Sequence, residues 1–297
     1  MKLVHLPEEF RTSCNDLRKL GHSVGLVPTM GALHSGHASL MAAARSHGSK
    51  PCVTIFVNPT QFGPNEDFGK YPRTLESDLA ICQAEGTEVV FVPAAGDMYP
   101  AGDATRVRVS GLTEMLCGRS RPGHFDGVTT VVSKLFALAG PCKAFFGRKD
   151  YQQLQVVKRM TADLMLPVEV MSCPIVREAD GLALSSRNRY LDADERRRAL
   201  GIVRGLVRAE RAYRAGERQG VVLRGIIEES LNASELRADY VELRGTDQLE
   251  EQTTASSVAG MSVLLVAAFC GVTRLIDNFV LGAEPTALLS LVKDWKS

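Results

Sequence analysis

The feature that most constrains this chain is a regular alternation of short apolar runs with segments of helical period. "SVGLVP" (23–28), "CVTIFV" (52–57), "EVVFVP" (88–93) and "KAFFG" (143–147) read as strands. Between them, "GHASLMAAARSHG", "TLESDLAICQAEG" (closed by Gly86) and "GVTTVVSKLFALAG" carry helical apolar stripes, and "DYQQLQVVKRMTADL" follows the last strand as another helix. Ser35 is a candidate N-cap for the first of these helices. Strands separated by helices of this length require a parallel sheet with right-handed crossovers.

Near 172–190 the pattern changes. "DADERRRALGIVRGLVRAERAYRAGERQG" and "GVVLRGIIEESLNA" read as helices, and "RADYVELRG", "MSVLLVAAFCG" and "TRLIDNFVLG" as strands of an antiparallel sheet. The expected organisation is an α/β chain with a parallel-sheet domain over 1–176 and a smaller α+β domain over 177–297. The 297 residues, 45% hydrophobic and 23% charged, suffice for two such cores. A net charge of +1 gives no reason to expect nucleic acid or an anionic membrane as partner, and the Arg-rich helix intersperses its bases with acids. "SVAGMSVLLVAAFCGV" is too short to span a bilayer and is followed by Arg274 and Asp277, so it reads as a buried strand. The seven cysteines are odd in number and lack a C-x-x-C pair, which suits reduced thiols and a cytoplasmic location.

Ligands of open parallel sheets bind beyond the carboxyl ends of the strands. Three polar loops follow three of the predicted strands, namely "TMGALHSGH", "NPTQF" and "RKDYQQ". Together they imply one shared pocket. His34 and His37 fall at a helix N-terminus, where unpaired N–H groups favour an anion, and Gly31 and Gly36 let backbone approach it. The spacing alone leaves metal, acid–base and phosphate roles open; without further Cys or acidic ligands nearby, phosphate binding is the better reading. Asn58 and Gln61 present neutral amides that could read a carboxylate or hydroxyl. Lys149 supplies a point charge after Gly147, Asp150 could cap the next helix, and Gln152 and Gln153 lie in that helix's first turns. Ser185, Ser186 and Arg187 in "DGLALSSRN" and the basic turn "RSRPGHFDGV", with Arg119, Arg121 and His124, complete the polar candidates. Each taken alone also fits an ordinary capped turn or a solvated surface.

In combination, "PTMGALHSGH", "FVNPTQF", "YPRTLESDL", "RPGHFDGV", "FFGRKDYQQL", "READGLALSSRNRYL", "DYVELR" and "TRLIDN" resemble, in order and from about residue 24 to 280, the pantoate–β-alanine ligase family. The H-x-G-H element also resembles the signature of the wider nucleotidylyltransferase superfamily, with "ALSSRN" in the place of its KMSKS-type loop. The resemblance implies a Rossmann-like parallel-sheet domain with the C-terminal α+β domain as a lid, and a homodimer. It also implies ATP-dependent activation of pantoate to pantoyl adenylate, then attack by β-alanine, with AMP and pyrophosphate released. Carried over residue by residue, the ATP site comprises Met30, Gly31, Ala32, Leu33, His34, Ser35, Gly36, His37, Gly147, Arg148, Lys149, Asp150, Val176, Leu184, Ser185, Ser186 and Arg187. Of these, His34, His37, Lys149, Ser185 and Arg187 are the expected catalytic donors. Gln61 and Gln153, with Asn58, Arg121 and His124 nearby, match the pantoate and β-alanine region. Asp78 lies where relatives place acids near Mg²⁺. The chain departs from the pattern at Arg148 (Glu in many relatives) and Thr60 (Met in many), which implies altered affinity and not a different reaction, and at Ser77 (an acid in some), which leaves Asp78 with less support as a metal neighbour. The competing functions are transfer of AMP to a small phosphorylated substrate and a non-catalytic nucleotide-binding role.

Overall fold

The computed structural model describes residues 1–64 and 66–290. It divides into two compact units, one of residues 1–148 and 152–174, the other of residues 149–151 and 175–297. The division falls at Pro174/Ile175, two residues before the expected boundary, and it assigns 149–151 to the second unit.

The first unit runs β1 (Lys2–Val4), α1 (Pro7–Lys19), β2 (Ser23–Thr29), α2 (Ser35–Ser46), β3 (Ser49–Ile55), α3 (Leu75–Ala84) and β4 (Val89–Phe91). The short helices α4 (Ala95–Met98) and α5 (Leu116–Ser120) follow, then α6 (His124–Ala139), β5 (Cys142–Gly147), α7 (Tyr151–Asp163) and β6 (Val168–Cys173). The strands form one sheet in the order β1-β4-β3-β2-β5-β6, and every adjacent pair is parallel. The chain leaves β2 toward β3 and β4 and then crosses to β5 on the other side, so the topological switch point lies between β2 and β5. The loops after β2 and β5 therefore border the crevice where open α/β sheets hold ligands. Val27, Val53, Val90 and Phe145 from the strands bury against Leu40, Met41 and Ala44 of α2 and Cys82 of α3.

The sequence reading omits β1, α1 and β6. β1 has three residues, two of them exposed, and β6 buries only Cys173 fully. Both are edge strands, covered less than central ones, and so lack the continuous apolar run that marks the interior strands. α1 begins with Pro7 at its first turn and buries Phe10, whose ring stacks on Phe91 at 4.7 Å.

The second unit contains α8 (Ala193–Arg214), α9 (Gly220–Ala233), β7 (Arg237–Gly245), β8 (Ser262–Cys270), β9 (Thr273–Val280) and α10 (Thr286–Ser290). Its three strands pair antiparallel in chain order. Asp192 caps α8 by accepting from Asp194 and Glu195 N–H groups, and Glu195 bonds back to the Asp192 N–H. Ile202, Leu206, Leu223 and Ile227 of the two long helices pack on Leu243, Leu264, Val266 and Phe279 of the sheet. All seven cysteines are free and buried. Among the described residues no helix is long and apolar enough to cross a membrane.

Candidate active site

The loop after β2 is held by an internal scaffold. Thr29 Oγ1 donates to the Thr54 carbonyl at 2.7 Å and accepts from Gly31 N–H at 3.2 Å. Gly31 and Ala32 then take φ of +84° and +50°, a left-handed turn that a side chain resists. A Cβ on Gly31 would also stand 3.1 Å from an Asp78 oxygen. Asp78, 1% exposed on α3, secures the turn: its carboxylate accepts the Ala32 N–H at 3.0 Å, the Leu33 N–H at 2.8 Å and the Thr74 hydroxyl at 3.1 Å. The acid singled out as a metal neighbour is thus a buried anchor that holds two backbone N–H groups of the loop.

The turn delivers the two histidines to the start of α2. The N-cap is His34, not Ser35, which is instead the first helical residue. His34 Nδ1 accepts from Gly36 N–H at 3.2 Å, and His37 Nδ1 accepts from His34 N–H at 3.3 Å, a capping box built from two imidazoles. Their ring centres lie 4.2 Å apart. A nitrogen that accepts carries no proton, so each neutral ring bears its proton on Nε2. The two imidazoles therefore sit at the positive end of the helix.

After β3, Asn58 is buried, and Gln61 is 8% exposed. Asn58 Nδ2 donates to Gln61 Oε1 at 3.0 Å and to the Gly127 carbonyl at 3.1 Å. Arg121 makes a two-pronged pair with Glu66, with Nε–Oε1 2.7 Å and Nη2–Oε2 2.5 Å. Burial raises the Glu66 carboxyl, but the Arg121 hydrogen bond and charge outweigh it and hold the group below its ordinary value. His124 bridges the two segments: Nδ1 is 2.8 Å from the Gln61 carbonyl and Nε2 3.0 Å from Arg121 Nη1, so Nδ1 carries its proton. The Arg121 charge is therefore already matched by Glu66.

Gly147 ends β5, and Arg148 follows it, both half-buried. The neighbouring glutamines of α7 have different environments. Gln152 is a structural clamp, accepting from Cys117 N–H at 2.9 Å and donating to the Leu112 and Met115 carbonyls at 2.8 Å. Gln153 is half-buried one position further on.

In the second unit, Lys149 has its side chain 21% exposed, with Nζ 3.8 Å from half-exposed Asp150. Asn278 Nδ2 donates to the Lys149 carbonyl at 3.0 Å. Asn278 N–H in turn donates to Asp277, which forms a buried bidentate pair with Arg177 at 2.7 and 2.9 Å. Val176 and Leu184 are joined by a backbone bond, and Arg177 faces Ala183 in an antiparallel bridge. This folds 176–184 back on itself. Ser185 Oγ then accepts from Arg187 N–H at 3.3 Å, capping the short turn Ser186–Tyr190. Ser185, Ser186 and Arg187 are half-buried. Sequence reasoning missed the supports Arg177, Asp277 and Asn278, although "TRLIDN" contains two of them; their partners are 100 and 129 positions away.

A parallel sheet whose switch-point loop closes on a helix N-terminus capped by paired imidazoles defines an α/β protein with an anion-accepting edge at its switch point. The family model for pantoate-beta-alanine ligase matches residues 2–280, and the chain belongs to that family. It is 52% identical to the pantothenate synthetase of Moorella thermoacetica, over 95% of this chain and 99% of that protein. It is 48% identical to the pantothenate synthetase of Trichlorobacter lovleyi, over 96% and 100%. Among solved structures, the pantothenate synthetase of Thermus thermophilus aligns with a TM-score of 0.88 at 43% identity, over 95% of this chain and 99% of that one. The Francisella tularensis pantoate-beta-alanine ligase, complexed with β-γ ATP and β-alanine, aligns at 0.76 and 32% identity, over 96% and 99%.

Proposed function

We propose that this chain condenses pantoate with β-alanine at the expense of ATP, through a non-covalent pantoyl adenylate, releasing AMP and pyrophosphate. The observation that carries this reading is the full-length similarity to pantothenate synthetases, joined by a ligase that binds an ATP species and β-alanine. The residue chemistry agrees with it. Attack of a carboxylate oxygen on the α-phosphorus builds charge on phosphoryl oxygens and on departing pyrophosphate, so catalysis is positioning and electrostatic stabilisation. In the first unit, His34 and His37 contribute Nε2–H donors at the α2 N-terminus, with the backbone of Met30–His37 shaped around them. In the second unit, Lys149, Ser185 and Arg187 contribute charge and hydroxyl donors. Gln61 and Gln153 supply neutral amides for pantoate and β-alanine, while Asn58, expected to contact them, is buried and bonded within the protein and supports Gln61 instead.

Mg²⁺ bound to the nucleotide phosphates would neutralise part of their charge. Asp78 does not fit as its ligand, because the carboxylate is buried and bonded to the loop. Among the described residues no group of three or more His, Cys, Asp or Glu side chains is placed to share a metal. Seven buried free thiols suit a reducing cytoplasm, and a homodimer follows from the family resemblance.

Transfer of AMP to a phosphorylated acceptor is not favoured. The amides of Asn58 and Gln61 bring no charge to a phosphate, and Arg121 is already paired with Glu66. The test is incubation with ATP, Mg²⁺, pantoate and β-alanine. The expected products are pantothenate, AMP and pyrophosphate; absence of AMP at saturating substrate overturns the reading.

A further inference from the structure

Gln61 Nε2 lies 3.0 Å from the thioether of Met30, a weak acceptor, in a position 8% exposed. A buried amide N–H with only a sulfur to donate to is a group that gains from a ligand oxygen. Whether Gln61 presents its nitrogen or its oxygen there depends on its partner Asn58, and the surroundings of Asn58 leave no freedom. Its Nδ2 faces the Gly127 carbonyl, which only accepts. Gly127 is what lets that carbonyl approach, since a Cβ there would stand 2.3 Å from the Thr60 carbonyl. The Oδ1 end faces the Thr60 N–H at 3.3 Å, the Thr60 hydroxyl at 2.9 Å and the Tyr99 hydroxyl at 2.8 Å. The two hydroxyls are also 3.1 Å from each other. Two protons serve three hydroxyl contacts, and in any sharing that satisfies both hydroxyls at least one proton points at Asn58. Burial pushes the Tyr99 phenol above its ordinary value, so it stays protonated. Its ring is fixed by Lys134 Nζ, 4.3 Å from the ring centre and bonded to the Met98 carbonyl and Asp103.

We propose that Tyr99 and Thr60 are positioning residues: by holding the Asn58 amide in one orientation they make Gln61 present its N–H donors to an oxygen acceptor on the acid substrate. The relay runs Tyr99 and Thr60 to Asn58 Oδ1, then Asn58 Nδ2 to Gln61 Oε1, then Gln61 Nε2 to substrate. It favours a hydroxyl or carboxylate oxygen and refuses an ammonium group at the same place. Thr60 thus contributes a polar support that an apolar side chain cannot supply. The inference rests on Gln61 being a contact of the acid substrate.

The test is steady-state kinetics of the full chain with pantoate and ATP varied separately. Thr60→Val with Tyr99→Phe removes both hydroxyls with little change of volume. The expected result is a KM for pantoate raised roughly five- to tenfold, the equivalent of about one oriented hydrogen bond, with KM for ATP held within about twofold. Thr60→Ser, which keeps the hydroxyl, restores pantoate affinity on the Tyr99→Phe background. If that double variant fails to fold, Thr60→Ala with Tyr99→Phe, which removes the same two hydroxyls, reads the same split. Unchanged pantoate KM in these variants, with a raised value in Gln61→Ala, overturns the relay. Unchanged pantoate KM in Gln61→Ala overturns the substrate assignment itself.

Discussion

Replacing Asp78 by Asn tests whether the histidine loop depends on a buried carboxylate anchor. The amide is nearly isosteric, so packing is conserved and only hydrogen bonding changes. Its oxygen retains the two donors that share one Asp78 oxygen, Leu33 N–H and the Thr74 hydroxyl. Its nitrogen must then face the Ala32 N–H, donor against donor. One buried amide is left unpaired, at a cost of about 1–3 kcal/mol. The turn it releases includes Ala32 at φ +50°, a conformation that costs on the order of 1 kcal/mol or more and persists only when its surroundings impose it. Loss of the anchor should therefore relax the turn and displace His34 and His37, so adenylation slows together with a drop in stability. The assays are denaturant unfolding and single-turnover adenylation across a Mg²⁺ titration. The anchor role predicts that added Mg²⁺ restores nothing, whereas loss of a metal ligand would shift the Mg²⁺ requirement upward. Wild-type stability with wild-type adenylation in Asp78→Asn would refute the reasoning, and a rate rescued by Mg²⁺ would return Asp78 to the metal.

Three further outcomes follow from other parts of the structure. His34→Asn keeps an N-cap acceptor but removes the Nε2–H, so folding stability should hold while adenylation slows tenfold or more; Lys149→Ala should do likewise, each lost donor being worth roughly 2–4 kcal/mol. Near-normal rates in both variants, measured by rapid quench, would remove these residues from the mechanism. Asp277→Ala strands the buried Arg177 guanidinium and should destabilise the second unit by about 3–5 kcal/mol, whereas replacing both partners with apolar residues should recover much of it, as read by urea denaturation. The Glu66–Arg121 pair should lend stability that is full above the ordinary Glu value of about 4.5 and lost as pH falls below it toward the lowered folded value; Glu66→Gln should flatten that acid limb of the unfolding curve.

The interior strands β2, β3 and β5 were legible because each is a long apolar run between helices, and the polar loops that follow them stand out by contrast. The edges of the sheet were not, since β1 and β6 are short or half-covered and their pairing is imposed by neighbours β4 and β5. The site divides in the same way. His34, His37, Asn58, Gln61 and Lys149 can be picked out by residue type and by position after a strand. Their supports cannot. Asp78 reaches its loop across 45 positions, Tyr99 reaches Asn58 across 41, and Asn278 reaches Lys149 across 129. The N-cap shows the difference at the smallest scale: Ser35 has the better capping chemistry, yet His34 occupies the cap because the Asp78-anchored turn delivers its ring to Gly36.

The sequence by itself therefore determined the alternating α/β architecture, the antiparallel second unit and the kinds of donor available, because periodicity and residue chemistry are local properties. Only the tertiary structure decided which ring nitrogens carry protons, which way the Asn58 and Gln61 amides face, and that Asp78 and Arg121 have their charge already engaged. Those outcomes depend on hydrogen-bond partners brought together from distant segments, and a buried polar group takes the orientation its partners impose.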